Sequence, residues 1–186
     1  MKRTFIAAKI EPSTELLNIY TKLRNELQNE KIKWVDNHNF HLTLFFLGDT
    51  TEEQINQIRI QLSNIVDNFA PFSIKLQGLG VFKNFHKPRV LWAGVYNYEP
   101  LGDVKELIDK EMLKLGFNPD AREFKPHLTI GRIKWIDDKE KLKNIVMKNE
   151  DLYFQETKIN EIIFYESILK PEGPVYKPIE KFLFPG

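Results

Sequence analysis

Two tetrapeptides of this 186-residue chain carry side chains suited to chemistry: His41-Leu42-Thr43-Leu44 and His127-Leu128-Thr129-Ile130. Along a strand, successive side chains alternate faces, so His41 shares a face with Thr43 and His127 shares one with Thr129. Leu42, Leu44, Leu128 and Ile130 then anchor the opposite, apolar face. Two such polar pairs converging on one phosphate have the parts needed to cleave a phosphodiester. One imidazole donates a proton to the departing oxygen, the other takes a proton from the attacking water, and the hydroxyls donate to the nonbridging oxygens where charge accumulates. An unperturbed imidazole titrates at about 6.5, so one histidine can be protonated and the other neutral near neutral pH without large shifts. Arg132 lies two residues beyond Ile130. Strict alternation turns it inward with Ile130, whereas a bulge at Gly131 turns it toward the phosphate, where a guanidinium binds bidentately.

A metal centre is the competing reading of paired histidines. The pair lacks the third protein ligand usual for catalytic zinc, and no carboxylate stands two or four residues beyond either histidine. The sequence therefore leads us to expect neither metal nor cofactor. Other notable residues read more plainly. His38 belongs to the loop Asp36-Asn37-His38-Asn39, and His86 to a solvent-facing hairpin tip within residues 83–90. Trp34, Phe45, Phe46, Phe124 and Trp135 flank the motifs and are expected mainly to pack the core, with room for one to stack on a base. Lys139 to Lys143 reads as the solvated face of a helix, and Lys125, just before Pro126-His127, is within reach of a phosphate.

The elements that position the motifs repeat. Positions 41 and 127 differ by 86, and the same offset aligns their surroundings. Thr4 to Ile10 is a short apolar strand followed by a helical pattern of Leu16, Leu17, Ile19, Tyr20, Leu23 and Leu27. Val90 to Val95 is its counterpart, followed by Leu101, Val104, Leu107, Ile108, Met112 and Leu115, with a stop at Gly116. Beyond the motifs, Thr50-Thr51-Glu52-Glu53 and Asp137-Asp138-Lys139-Glu140 open two further helices. The stretches 72–76 and 158–164 then read as strands. The final segment 174–184 closes a sheet from an edge position, which suits its prolines.

This pattern predicts an α+β fold in a single domain spanning residues 1–186. It has two pseudo-symmetric, interleaved lobes with antiparallel sheets, flanking helices and a central cleft. Each lobe contributes one motif. Because Gly131-Arg132 follows the second motif where Phe45-Phe46 follows the first, the cleft is expected to be apolar beside His41 and more basic beside His127.

Composition bounds the function. With 42% hydrophobic and 12% aromatic residues the chain supports a real core. Absence of cysteine excludes disulfides, zinc ribbons and thiol nucleophiles, and makes the cytoplasm the default compartment. Neither a signal-peptide core nor a membrane-length apolar run is present, so no membrane partner is expected. Lysine and arginine total 27 against 26 aspartate and glutamate, a net charge of +1. Such balance disfavours long nonspecific tracking of nucleic acid and fits reading of an RNA end. Nothing demands more than a monomer.

At Arg3-Thr4-Phe5-Ile6-Ala7, Trp34-Val35, Phe40 to Gly48 and Lys125 to Arg132 the chain resembles the 2H phosphoesterase superfamily. Within it the resemblance is to the RNA 2′,3′-cyclic phosphodiesterase group, also called 2′-5′ RNA ligase-like proteins. It covers nearly the whole chain. The resemblance implies metal-free hydrolysis of a 2′,3′-cyclic phosphate on RNA or a nucleotide to a 2′-phosphomonoester, with 2′-5′ ligation as the reverse reaction. It further implies His41 as proton donor, His127 as proton acceptor, and Thr43, Thr129 and Arg132 around the phosphate. Two alternatives stand beside it: an RNA-end binding protein with little turnover, and a cyclic phosphodiesterase acting on a small metabolite or on 2′-5′ oligonucleotides.

Overall fold

A computed structural model describes residues 1–186. Helices begin where a short polar side chain can cap them. Ser13 accepts from the Leu16 amide ahead of α1 (Thr14–Glu26), and Thr51 with Gln54 forms a capping box ahead of α2 (Glu52–Val66). Asp138 accepts from the Lys141 amide ahead of α4 (Lys139–Lys148). Each such cap contributes about 1 kcal/mol. α3 (Glu99–Lys114) has no side-chain cap and carries Pro100 in its first turn, where the missing N–H costs nothing. Buried residues recur every three or four positions, as in Leu101, Val104, Ile108 and Met112, so each helix presents one apolar stripe.

Nine strands form two antiparallel sheets. One holds β3 (His41–Thr50), β1 (Lys2–Lys9), β8 (Glu161–Lys170) and β9 (Gly173–Leu183) in that order. The other holds β2 (Lys31–Trp34), β6 (His127–Trp135), β5 (Val90–Tyr96), β4 (Phe72–Phe82) and β7 (Tyr153–Ile159). Helices α2 and α3 pack on the first sheet, and α1 and α4 on the second. One cluster of 39 buried residues runs beneath both, so the two lobes share a core and the molecule is a single α+β domain. No helix is long and apolar enough to cross a membrane.

The lobes are not the two halves of the sequence. The first half sends β2 and β4 to the His127 sheet, and the second half sends β8 and β9 to the His41 sheet. Here the structure corrects the expectation that 158–164 is one strand. The chain leaves the His127 sheet at Ile159, which pairs with Phe72, and enters the His41 sheet at Glu161, with Asn160 as the crossing point. β2, absent from the sequence reading, is four residues long and alternates Lys31 and Lys33 with Ile32 and Trp34. A short, lysine-bearing strand suits a sheet edge but leaves little pattern to detect. β9 does take an edge position, with Pro174 and Pro178 in its length.

Candidate active site

Both motif strands alternate. Leu42, Leu44, Leu128 and Ile130 are buried in the core, while His41, Thr43, His127 and Thr129 lie on the other face. Both strands then break register at the same place. Ala7 and Ile6 face Thr43 and Phe45, skipping Leu44, and Trp92 and Leu91 face Thr129 and Gly131, skipping Ile130. An extra residue in one strand of a pair is a β-bulge, and it reverses the facing of everything beyond it. Ile133 is consequently buried and Arg132 exposed on the histidine face, where strict alternation would have put the guanidinium in the core. Phe45 is buried by the equivalent step, and Phe46, 52% exposed, shares a face with Phe5 beneath the guanidinium of Arg3.

The two histidines are held alike. Nδ1 of His41 lies 2.6 Å from the Asn39 carbonyl oxygen, and Nδ1 of His127 lies 2.8 Å from the Lys125 carbonyl oxygen. Because a carbonyl only accepts, each Nδ1 carries the hydrogen, and each Nε2 is left for the cleft. The structure brings the pairs from the two sheets together: His41 feels the charge of both His127 and Arg132. Burial is the main cause that lowers the pKa of His41 below its usual value, with the charges of Arg132 and His127 adding to it and the Asn39 carbonyl opposing. For His127 burial again leads, Arg132 adds, and the Lys125 carbonyl opposes. Both shifts favour the neutral imidazole over the charged one.

Aromatic rings hold both histidines, from strands the motif pattern did not single out. Phe5 lies 5.2 Å from the His41 ring and Tyr176 meets it edge-on at 5.1 Å. Phe5, Ala7, Ile163 and Tyr165 make a small buried cluster of their own on this face, with Tyr176 packed against it. Phe82 meets His127 edge-on at 4.7 Å and lies 5.1 Å from Trp92. Gly80 makes room for the indole: a Cβ there would sit 2.1 Å from Trp92 Cζ2. Tyr176 lies on β9, which has no counterpart under the 86-residue offset, so the repeat carried no signal for it.

The remaining candidates fall as follows. His38 is in a 3₁₀ turn (Asn37–Asn39) beside His41, and His86 is exposed in the loop 83–89. Trp34 and Phe124 pack against the core, but Trp135 is 59% exposed, its indole donating to Asp137 instead. Lys125 presents its carbonyl to the site, while its ammonium lies 3.2 Å from Glu123. No group of three or more His, Asp or Glu side chains is arranged to hold a metal.

Two sheets each carry a His-x-Thr pair on one face, the pattern of the class of two-histidine phosphoesterases. A family model described as LigT-like phosphoesterase matches residues 9–92 and 97–176. The chain belongs to this LigT-like phosphoesterase family. A Methanocaldococcus jannaschii protein named RNA 2′,3′-cyclic phosphodiesterase is 39% identical over 161 residues, covering 87% of this chain and 90% of its own. A Thermotoga maritima protein of the same name is 37% identical over 189 residues, covering 99% and 96%. Among solved structures, TT0787 of Thermus thermophilus superposes with a TM-score of 0.80 at 27% identity, over 98% of this chain and 97% of that one. E. coli LigT complexed with 3′-AMP shares the fold, with a TM-score of 0.73 at 18% identity over 98% of both chains.

Proposed function

We propose that the protein hydrolyses a 2′,3′-cyclic phosphate at an RNA end or on a nucleotide to a 2′-phosphomonoester, by acid and base catalysis from His41 and His127. The observation that carries this reading is the matched pair of imidazoles, each with Nδ1 satisfied by the carbonyl two residues back and Nε2 left without a protein partner. Water attacks phosphorus as His127 takes its proton. The bond from phosphorus to the 3′ oxygen breaks as protonated His41 gives that oxygen a proton, leaving a free 3′ hydroxyl. Each transfer contributes roughly 10²- to 10⁴-fold in rate. Thr43 and Thr129 donate hydrogen bonds to the nonbridging oxygens, and Arg132 adds a charge-assisted contact.

The bound substrate also supplies what the free site lacks. Its anionic phosphate offsets the charge of Arg132, so one imidazole gains a proton more readily in the complex than in the free protein. The proposed proton transfers need only the two imidazoles and no metal. With a 5′ hydroxyl in place of water as the nucleophile, the same step joins RNA ends through a 2′-5′ linkage, His127 taking the hydroxyl proton and His41 giving one to the 3′ oxygen. Purified protein in excess chelator is expected to convert cytidine 2′,3′-cyclic phosphate to the 2′-monophosphate, followed by phosphorus NMR. A 3′-monophosphate, or loss of all turnover on chelation, contradicts the reading.

A further inference from the structure

The hairpin of β8 and β9 runs past the rest of its sheet. β1 pairs with β8 as far as Thr4 opposite Glu166, whereas β8 and β9 stay paired to Lys170 opposite Gly173. Beyond Glu166 the hairpin is therefore two-stranded, and Ile168, Leu169 and Val175 are exposed along it. A two-stranded hairpin has little stability of its own. Its end is held from outside the sheet. Asn39 Nδ2 donates to the Pro174 carbonyl oxygen at 3.0 Å, and Gly173 lies beside Lys33 of the other sheet, where a Cβ would sit 3.6 Å from the lysine Cε.

Asn39 meets three elements at once. Its backbone amide donates to the Asp36 carbonyl at 2.8 Å, its carbonyl oxygen accepts from His41 Nδ1 at 2.6 Å, and its side chain reaches β9. It ends a 3₁₀ turn of three residues, none of them buried, so hydrogen bonds rather than packing of the turn's own side chains hold it. The side-chain bond to Pro174 is the one that ties this turn to another part of the fold.

Pro174 and Tyr176 stand two apart on β9, so a hold on one places the other. The Tyr176 ring meets His41 edge-on at 5.1 Å and Phe5 at 4.9 Å. A single side chain thus governs both restraints on the His41 ring: the carbonyl that binds Nδ1 and the aromatic edge that limits its rotation. His127 has no such device. Its Nδ1 is bound by the Lys125 carbonyl, but the Lys125 side chain pairs with Glu123 in the same segment and ties it to no other element. Charged and titratable groups around His41 are Arg132 and His127 from β6, Lys9 from β1, Tyr165 from β8, Tyr176 from β9 and His38 from the turn.

We infer that Asn39 is a positioning residue for the proton donor: through its bond to Pro174 it seats the hairpin end, and Tyr176 with it, against the His41 ring that its own carbonyl holds. The inference rests on the proposed hydrolysis, in which Nε2 of His41 must point at the departing 3′ oxygen. Proton transfer depends on that aim more steeply than substrate binding does, so the loss falls on kcat rather than on KM.

The test uses Asn39→Leu, which keeps the branched shape without a donor or a charge, and Asn39→Ala, which removes the side chain. On cytidine 2′,3′-cyclic phosphate both are expected to lower kcat by about tenfold or more while KM changes less than about twofold. Nitrogen NMR of the labelled imidazoles, at a pH where both are neutral, supplies a readout that general loosening would not reproduce. Wild-type protein is expected to carry the hydrogen on Nδ1 of both rings. In each variant His41 divides between its two tautomers and His127 does not change. A wild-type His41 protonated on Nε2 overturns the inference without any variant. So do variants with wild-type kcat, a loss of kcat with the His41 tautomer unmoved, or a shift of both histidines together; each leaves hydrolysis standing. Absence of turnover by wild-type protein overturns the hydrolysis reading and the positioning role with it.

Discussion

Burial and the guanidinium of Arg132 both act against a charged imidazole at positions 41 and 127. A histidine whose pKa is lowered in the folded protein binds its proton only after the unfolded chain would, so each contributes stability above about pH 6.5 that is lost as pH falls. The same sign governs catalysis. Arg132→Gln removes a cation from beside both rings, so both pKa values rise and the pH profile of kcat/KM moves to higher pH. Its height also falls, by about 10²-fold if the guanidinium donates to the transition state. Steady-state rates across pH read both effects, and an unmoved profile contradicts the placement of Arg132. His-x-Thr pairs were readable from residue type and spacing alone, whereas Arg132 was open between the core and the histidine face until the register break past Thr129 was seen. The lowered pKa values were not, because Phe5, Phe82 and Tyr176 come from distant strands and only tertiary packing brings them against the rings.

Strand irregularities set the site as much as strands do. Skipping Leu44 and Ile130 at equivalent points of β3 and β6 turns the chain over just past each motif. A further bulge holds β4, where Gly78 at φ +77° lets its amide reach the Leu152 carbonyl at 2.8 Å and the Leu79 amide reach the Asn149 carbonyl at 2.9 Å. A Cβ on Gly78 would lie 2.3 Å from the backbone oxygen of Glu150, which cannot rotate away. Gly78→Ala is therefore expected to cost at least about 2 kcal/mol, combining the left-handed backbone with the clash, and to lower the thermal midpoint by several degrees. An unchanged midpoint would mean that the turn after α4 does not dock there. Elements with strong periodicity, α1 to α4 and the motif strands, were visible in the sequence. β2 is too short for a pattern, and the Asn160 crossing is hidden because Ile159 and Ile162 read as one continuous apolar strand although they serve different sheets.

Across the whole molecule, the exchange of strands between halves ties the lobes together. Neither half of the sequence contains a complete sheet: residues 1–86 lack β8 and β9, and residues 87–186 lack β1 and β3. With one shared core, unfolding is expected to be a single transition, and the two halves expressed apart are expected to show little structure by circular dichroism until mixed. A half that folds alone contradicts this. Each sheet carries one of the histidines, on β3 beside β1 and on β6 between β2 and β5. The pH dependence of kcat/KM on cytidine 2′,3′-cyclic phosphate tests the acid and base pair most directly, run on wild-type protein and on His41→Ala and His127→Ala. Wild-type protein is predicted to give a bell with its maximum on the acid side of about pH 6.5, and each variant to lose at least about 10²-fold while remaining folded. A profile with one limb or none, or either variant near wild-type activity, would contradict it.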